Sequence, residues 1–241
     1  MKTIQSISPY TGEILKEYSP FSKKEITTHA QNAQKAFEEW KNSSFSTRAS
    51  LLKNAGGELR KNIDHYARLI SLEMGKVIQE SRAEIEKCAW VCDFYAENGE
   101  NFLKEENIEL PDGKKAKAVH QPLGVILAVM PWNFPFWQVF RFAAPTLMAG
   151  NTALLKHASN VPQCSMAIEE VFQNAGFPEF VFQSLLIDSK VTLELLEDPI
   201  IKAVSLTGSE KAGAAVASAA GNQVKKSLLE LGGSDPFIVL A

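Results

Sequence analysis

The chain has 241 residues, 45% of them hydrophobic, and carries a formal net charge of −3 at pH 7. This length can bury the core of one or two domains, and the charge leaves no electrostatic footprint for nucleic acid. No apolar stretch approaches the roughly 18 residues that span a membrane, and the first residues lack the apolar segment of a signal peptide. We therefore expect a cytoplasmic protein that binds neither nucleic acid nor membrane.

The first hundred residues predict a short hairpin followed by a layer of helices. Two strand-like segments flank a turn near Gly12, and Ser22 followed by Glu25 has the spacing of a capping box at a helix start. Apolar residues then recur at intervals of three and four up to Trp40. Further helices are predicted at 46–61, 63–73 and 76–102.

Cysteines are the first candidates for chemistry along the chain. Cys88 and Cys92 are four residues apart on one face of a predicted helix, which permits a metal pair. No second pair of ligands lies near them at zinc-site spacing, and free cysteine is among the most buried residue types, so we favour packing thiols. With Cys164 the count is odd, which favours reduced thiols in the cytosol. The four histidines are scattered and receive no catalytic role.

Residues 104–121 predict a second hairpin around a turn signal at residues 111–113. The segment carries three lysines, Lys114, Lys115 and Lys117. They could suggest a phosphate-binding patch. Lysines on a hairpin more often form a solvated face that protects a sheet edge, and we favour that interpretation.

From residue 123 onward, short apolar runs alternate with helical patterns. The run LGVILAVM is continuously apolar, as in a strand buried on both faces. A later helix has Pro162 in its first turn and Gly176 past its end. Four more strand-like runs lie at 151–158, 181–187, 201–208 and 225–233. This alternation predicts an α/β fold with a doubly wound, Rossmann-like parallel sheet, whose ligand crevice lies at the carboxyl ends of the strands.

Polar residues follow the first two of these strands. The loop MPWNFP places Asn133 between two prolines, where its amide N–H could meet a developing oxyanion. A proline-rich loop with an aromatic plug explains the same residues equally well. Lys156 ends the second run, with Ser159 three residues further on. A lysine in a buried run is costly unless it meets an anion or ribose hydroxyls.

The last two strands end in further candidates. LTGSEKAG opens a helix at Gly208 and Ser209, whose N–H groups offer a phosphate site. The P-loop spacing and the G-x-G-x-x-G fingerprint are both absent from the sequence. Glu230 is flanked by Leu229 and Leu231. If strand periodicity buries these neighbours, loss of water disfavours the charged carboxylate and makes Glu230 a candidate general base. The alternative is an ordinary strand-end carboxylate in water.

Four motifs, P-W-N-F-P, L-L-K-H-A-S-N, L-T-G-S and L-E-L-G-G, resemble the aldehyde dehydrogenase superfamily in order and spacing. The resemblance extends over essentially the whole chain and is greatest to the bacterial succinate-semialdehyde dehydrogenase branch. It implies oxidation of an aldehyde to the acid with NAD or NADP, by thiol attack, hydride transfer and thioester hydrolysis. The hairpin at 104–121 resembles the arm through which the family forms homo-oligomers.

The resemblance also implies roles for individual residues. Asn133 is similar to the asparagine that stabilises the oxyanion, and Glu230 to the base that activates the hydrolytic water. The implied cofactor-binding residues are Met130, Pro131, Trp132 and Asn133 along the nicotinamide side, Lys156 and Ser159 facing the adenosine ribose, Gly208 and Ser209 at the pyrophosphate, and Leu231 beside the nicotinamide amide.

This sequence departs from the family pattern in two ways. Many NAD-preferring members have a glutamate where this chain has Ser159, and the uncharged serine makes NADP admissible. The family's nucleophilic cysteine follows the glutamate within a catalytic domain that this chain lacks. We therefore expect an inactive cofactor-binding half, with water reaching Glu230. A truncated nucleotide-binding or dimerisation module is the alternative.

The expected domain divisions are an N-terminal layer at 1–103, the hairpin at 104–121, the core at 122–233 and a first catalytic-domain strand at 234–241.

Overall fold

The structure is a computed structural model that describes residues 3–111 and 114–239. It comprises one five-stranded sheet, two separate hairpins and eight helices within those residues. Asp112 and Gly113 of the predicted turn, and Leu240 and Ala241 of the last predicted strand, lie outside the described residues.

The elements follow the predicted order as far as β9, whereas residues 234–239 of the last predicted strand form no strand. The strands are β1 (Ile4–Ile7), β2 (Ile14–Tyr18), β3 (Glu106–Glu109), β4 (Lys115–Ala118), β5 (Val125–Met130), β6 (Thr152–His157), β7 (Phe182–Ser184), β8 (Ile201–Gly208) and β9 (Lys226–Leu231). The helices are α1 (Lys23–Trp40), α2 (Phe45–Lys61), α3 (Ile63–Met74), α4 (Ile78–Phe102), α5 (Trp137–Met148), α6 (Pro162–Asn174), α7 (Ser189–Leu195) and α8 (Glu210–Asn222).

The central sheet is parallel and has the order β7-β6-β5-β8-β9. The chain builds outward from β5 to β7 and then returns to place β8 on the other side of β5. This reversal of strand order is a topological switch point, where ligands bind outside the carboxyl ends of the strands in open α/β sheets. The predicted doubly wound sheet is confirmed.

Helices cover both faces of the sheet, which explains the continuously apolar strands. On one face, Ala128 and Leu155 pack in a core with α2 to α6. On the other face, Leu127 and Leu154 pack with α1, α7 and α8. Successive strand residues therefore face opposite cores and both are apolar, as expected of a parallel sheet.

Local signals read from the sequence have the expected geometry. The N–H of Glu25 donates to Ser22 Oγ at 3.3 Å, and the N–H of Ser22 donates to the Glu25 carboxylate at 2.7 Å. This reciprocal pair is the predicted capping box. Cys88 and Cys92 are fully buried in the larger core, which confirms them as packing thiols.

The second predicted hairpin is also present, as an antiparallel ribbon of β3 and β4. Lys117 pairs with Glu105 at 2.5 Å across its exposed surface. That the β3–β4 ribbon mediates assembly remains a prediction, and so do the domain divisions given above. Among the helices of the described residues, none has the length and hydropathy needed to cross a bilayer.

Candidate functional site

The register of the sheet brings the candidate residues to one edge. Lys156 of β6 is opposite Val129 of β5, and Val129 is opposite Leu206 of β8. Thr207 of β8 is opposite Glu230 of β9. The carboxyl ends of four neighbouring strands thus present a lysine, an apolar centre and a carboxylate side by side.

A cavity of about 90 Å³ opens at this edge between α7 and α8. Its lining residues are mainly apolar, with Lys156 on one side: Val129, Lys156, Ser189, Thr192, Leu193, Leu206, Ala212, Ala215 and Val216. Apolar walls with a few polar groups are typical of small-molecule sites. Lys156 is the one cationic side chain among these lining residues.

Lys156 is partly buried and lines this cavity. Burial lowers the pKa of its ammonium below the ordinary value, while the Asp188 carboxylate acts in the opposite direction. Desolvation of this kind is costly and is relieved when a ligand supplies hydrogen-bond acceptors. Ser159 lies beyond the strand end on an exposed turn, and it borders a different and smaller depression with Pro162 and Leu186.

The N-terminus of α8 lies at the end of β8, as the motif LTGSEKAG predicts. Ser209 is the N-cap, and its hydroxyl accepts the Ala212 N–H at 3.3 Å. Gly208 has an ordinary φ, and an added Cβ would meet its nearest neighbour at 3.6 Å. Contacts with the described residues therefore give no reason for a glycine at this position.

Asn133 is exposed in the loop between β5 and α5. Its Oδ1 accepts the N–H of Phe134 at 3.1 Å. This bond orients the side-chain amide, because the oxygen faces the backbone and the two Nδ2 hydrogens face away from it. Trp132 is also exposed, and Met130 is buried at the end of β5.

The expectation that strand periodicity buries the neighbours of Glu230 is wrong. Leu228 and Leu231 are 63% and 43% exposed, and Leu229 is partly buried. The physical reason is that β9 is the edge strand of the sheet, so helices cover it incompletely. Glu230 itself is half exposed, as the alternative of a carboxylate in water predicts.

Leu231 packs on the helix that follows β8. An added Cβ on Gly213 of α8 would lie 2.5 Å from Leu231 Cδ2. The glycine therefore permits the close approach of α8 and β9.

Arg141 is a site residue that the sequence analysis missed. Its Nη1 lies 3.4 Å from Glu230 Oε2, and its Nη2 donates to Thr207 Oγ1 at 3.1 Å. A single arginine within the apolar helix sequence FWQVFRFAAPTLM was the available signal. Asp188, which caps α7 near Lys156, gave no such signal because aspartate is common at helix starts.

A doubly wound sheet with a cavity, a lysine and a helix start at its switch point is typical of dinucleotide-binding α/β proteins. The model of the aldehyde dehydrogenase family matches residues 1–241. The chain belongs to this family.

Several proteins similar to this chain are named succinate-semialdehyde dehydrogenase. A probable succinate-semialdehyde dehydrogenase (NADP+) of Synechocystis sp. is 54% identical over 237 residues, and a succinate-semialdehyde dehydrogenase (NADP+) of Mycobacterium leprae is 47% identical over 240 residues. The matches cover 98% and 99% of this chain and 52% of each relative, so the chain spans about half the length of these curated relatives. Succinic semialdehyde dehydrogenase from Streptococcus pyogenes, solved with NADP+, superposes with a TM-score of 0.95 at 35% identity, over 98% of this chain and 52% of that one.

Proposed function

We propose that this chain is the cofactor-binding part of an NADP-dependent succinate-semialdehyde dehydrogenase. The observation that carries the proposal is that Lys156 of β6, the start of α8 after β8, and Glu230 of β9 lie at the same edge of the sheet, at the carboxyl ends of the strands. The names of the relatives, which specify NADP+ and succinate semialdehyde, support the choice of cofactor and substrate.

Lys156 and the cavity beside it would bind the adenosine end of the cofactor. NADP, when bound, supplies the hydride acceptor for aldehyde oxidation. The ammonium of Lys156 would donate to ribose or phosphate oxygens, and the uncharged Ser159 would not repel a 2′-phosphate. The first N–H groups of α8 would face the pyrophosphate, and the absence of a side chain at Gly208 would leave room for it. Met130, Pro131 and Trp132 would line the nicotinamide side, with the Leu231 backbone beside its amide.

Asn133 and Glu230 would act on the substrate. The Oδ1 of Asn133 accepts the Phe134 N–H, and its Nδ2 hydrogens would stabilise the oxyanion that develops on the aldehyde oxygen when the thiol adds to the carbonyl carbon. Glu230 would take a proton from the water that hydrolyses the thioester. Arg141 lies beside Glu230, and its positive charge would attract the free carboxylate of succinate semialdehyde.

The nucleophilic thiol would come from outside this chain. Cys88, Cys92 and Cys164 are all buried, and burial raises the pKa of each thiol. Buried thiols of this kind are inert because the thiolate is the nucleophile. We therefore propose that the chain alone binds cofactor without oxidising aldehyde.

The β3–β4 ribbon would mediate self-association. Two-stranded ribbons are marginally stable alone, and this one exposes Ile108, Leu110 and Val119. Sedimentation velocity on the wild type and on Ile108→Lys tests this part. We expect the wild type to associate and the variant to shift towards monomer.

A full-length chimera tests the proposed activity. The chain would be fused to the remaining half of the 54% identical Synechocystis relative. We expect NADPH formation from succinate semialdehyde, reduced about 100-fold or more in Glu230→Gln because a general base is lost. A folded chimera that binds NADP without turnover, or a Glu230→Gln variant as active as its parent, would refute the proposal.

A further inference from the structure

His157 is a buried titratable side chain that the proposed mechanism does not use. Its Nε2 lies 2.8 Å from the carbonyl oxygen of Pro135, and its Nδ1 lies 2.8 Å from the backbone nitrogen of Ala158. The Ala158 N–H can only donate, so Nδ1 must be the acceptor. The imidazole proton therefore resides on Nε2 and is donated to Pro135 O. This arrangement selects one tautomer of a neutral ring.

A buried carboxylate binds the same loop from the other side. Glu84 of α4 accepts the N–H groups of Phe136 and Trp137 at 2.9 and 3.0 Å through one oxygen. Its other oxygen pairs with Lys76, and both side chains are almost fully buried. The Lys76 ammonium also lies 3.6 Å from the centroid of the Phe134 ring.

Three consecutive residues are thus fixed through their backbone groups. Pro135 is bound from β6, whereas Phe136 and Trp137 are bound from α4. Asn133 lies two residues before this fixed segment, with Phe134 held by Lys76. These contacts leave the loop little freedom to change the direction in which the Asn133 amide points.

We infer that His157 is a positioning residue for the Asn133 loop, residues 131–136, acting opposite Glu84. This inference rests on the proposed function, in which the loop lies along the nicotinamide and Asn133 stabilises the oxyanion. His157 acts through the Pro135 carbonyl, and neither substrate nor cofactor needs to touch its ring. Its neighbour Lys156 serves the adenosine side, so β6 would connect the two ends of the cofactor site.

The electrostatic surroundings of the ring agree with this role. Burial lowers the pKa of His157 to about 4, and the Lys156 charge acts in the same direction, whereas interactions with the backbone of Pro135 and of Met130 raise it. At neutral pH the ring is therefore uncharged and retains an acceptor nitrogen for Ala158.

Two variants separate positioning from packing. His157→Gln retains a donor for Pro135 O, whereas His157→Leu fills similar space without one. The reporter is the indole N–H resonance of Trp132, assigned with Trp132→Phe. The ligands are NADP and adenosine 2′,5′-bisphosphate, which lacks the nicotinamide end.

We expect the Leu variant to shift or broaden the Trp132 resonance of the free protein and to bind NADP about tenfold more weakly, the effect of one lost buried hydrogen bond. Its affinity for adenosine 2′,5′-bisphosphate should stay within about twofold. The Gln variant should resemble wild type in both respects.

An unchanged Trp132 resonance in the Leu variant would overturn the inference. An equal loss of affinity for NADP and for adenosine 2′,5′-bisphosphate would also overturn it, because His157 would then act on the end of β6 and not on the Asn133 loop. If wild type binds neither ligand, the proposed function fails, while the Trp132 resonance still decides whether His157 orders the loop. A long-range ¹H–¹⁵N spectrum of wild-type His157 needs no variant. A proton on Nδ1 instead of Nε2 would contradict the contacts on which the inference depends.

Discussion

Arg141 and Glu230 form an ion pair that joins the middle of α5 to the end of β9, with 3.4 Å between Nη1 and Oε2. Arg141 also donates a hydrogen bond to the hydroxyl of Thr207. Thr207 is opposite Glu230 in the register of β8 and β9. The carboxylate proposed as the general base therefore has a cation and a strand neighbour that define its position while water still reaches it.

This pair should contribute little to stability. Both side chains are more than one-third exposed, and exposed pairs are screened by water and salt. A double-mutant cycle with Arg141→Gln and Glu230→Gln should give a coupling energy below about 1 kcal/mol in urea unfolding. The coupling should decrease further in 0.5 M salt. A coupling above about 2 kcal/mol that is insensitive to salt would contradict the exposed geometry.

Gly99 permits the close packing of α4 on α5. An added Cβ would lie 2.4 Å from Cγ of the buried Met148. Gly99→Ala should therefore lower the free energy of unfolding by about 1–3 kcal/mol through overpacking. Gly57→Ala is the matched control, since among the described residues no atom outside its own stretch of α2 lies within 4 Å of an added Cβ. Within α2 that control should stabilise by up to about 1 kcal/mol, and a Gly99→Ala protein as stable as the control would refute the close contact.

His157 should make the stability of the fold depend on pH. Burial lowers its pKa from 6.5 to about 4. Between these values the unfolded chain binds the proton and the folded chain does not, so the free energy of unfolding falls as the pH falls. Relative to His157→Gln, wild type should lose about 2–3 kcal/mol between pH 7 and pH 4.5. The measurement is urea unfolding at both pH values, and identical pH dependence in the two proteins would show that the imidazole is not buried in its neutral form.

The chain alone should not oxidise aldehyde. Its three thiols are buried, so 5,5′-dithiobis(2-nitrobenzoate) should react with them only after guanidinium is added. Succinate semialdehyde with NADP should give no more NADPH than a heat-denatured sample. Turnover that is abolished by replacing Cys88, Cys92 or Cys164 with serine would contradict this expectation.

Much of the fold could be predicted from the sequence because local signals and the global fold agree. Continuous apolar runs such as that of β5 arise where helices cover both faces of a sheet, and the capping box at Ser22 and Glu25 marks a helix start by itself. Parallel strands also align their carboxyl ends, so Lys156 and Glu230 could be assigned to one edge before any coordinates were known.

The rest depends on contacts between distant parts of the chain. The edge position of β9, which exposes Leu228 and Leu231, follows from the strand order and leaves no local signal. Glu84 binds the N-terminus of α5 from 52 residues away, and its sequence neighbours resemble those of any charged helix. The partners of such a buried carboxylate become apparent only once the helices are packed.

The central claim is that this edge of the sheet binds NADP, and the most direct test is to measure NADP binding with and without the Lys156 ammonium. Titration calorimetry of NADP into wild type, Lys156→Ala and Lys35→Ala separates this ammonium from an exposed lysine on α1. Removing a partly desolvated charge should not unfold the protein, since burial already disfavours the charged form of Lys156. We expect wild type and Lys35→Ala to bind alike and Lys156→Ala to bind at least about tenfold more weakly, the effect of one lost charged hydrogen bond. Equal affinity in all three proteins would exclude Lys156 from the site and contradict the account.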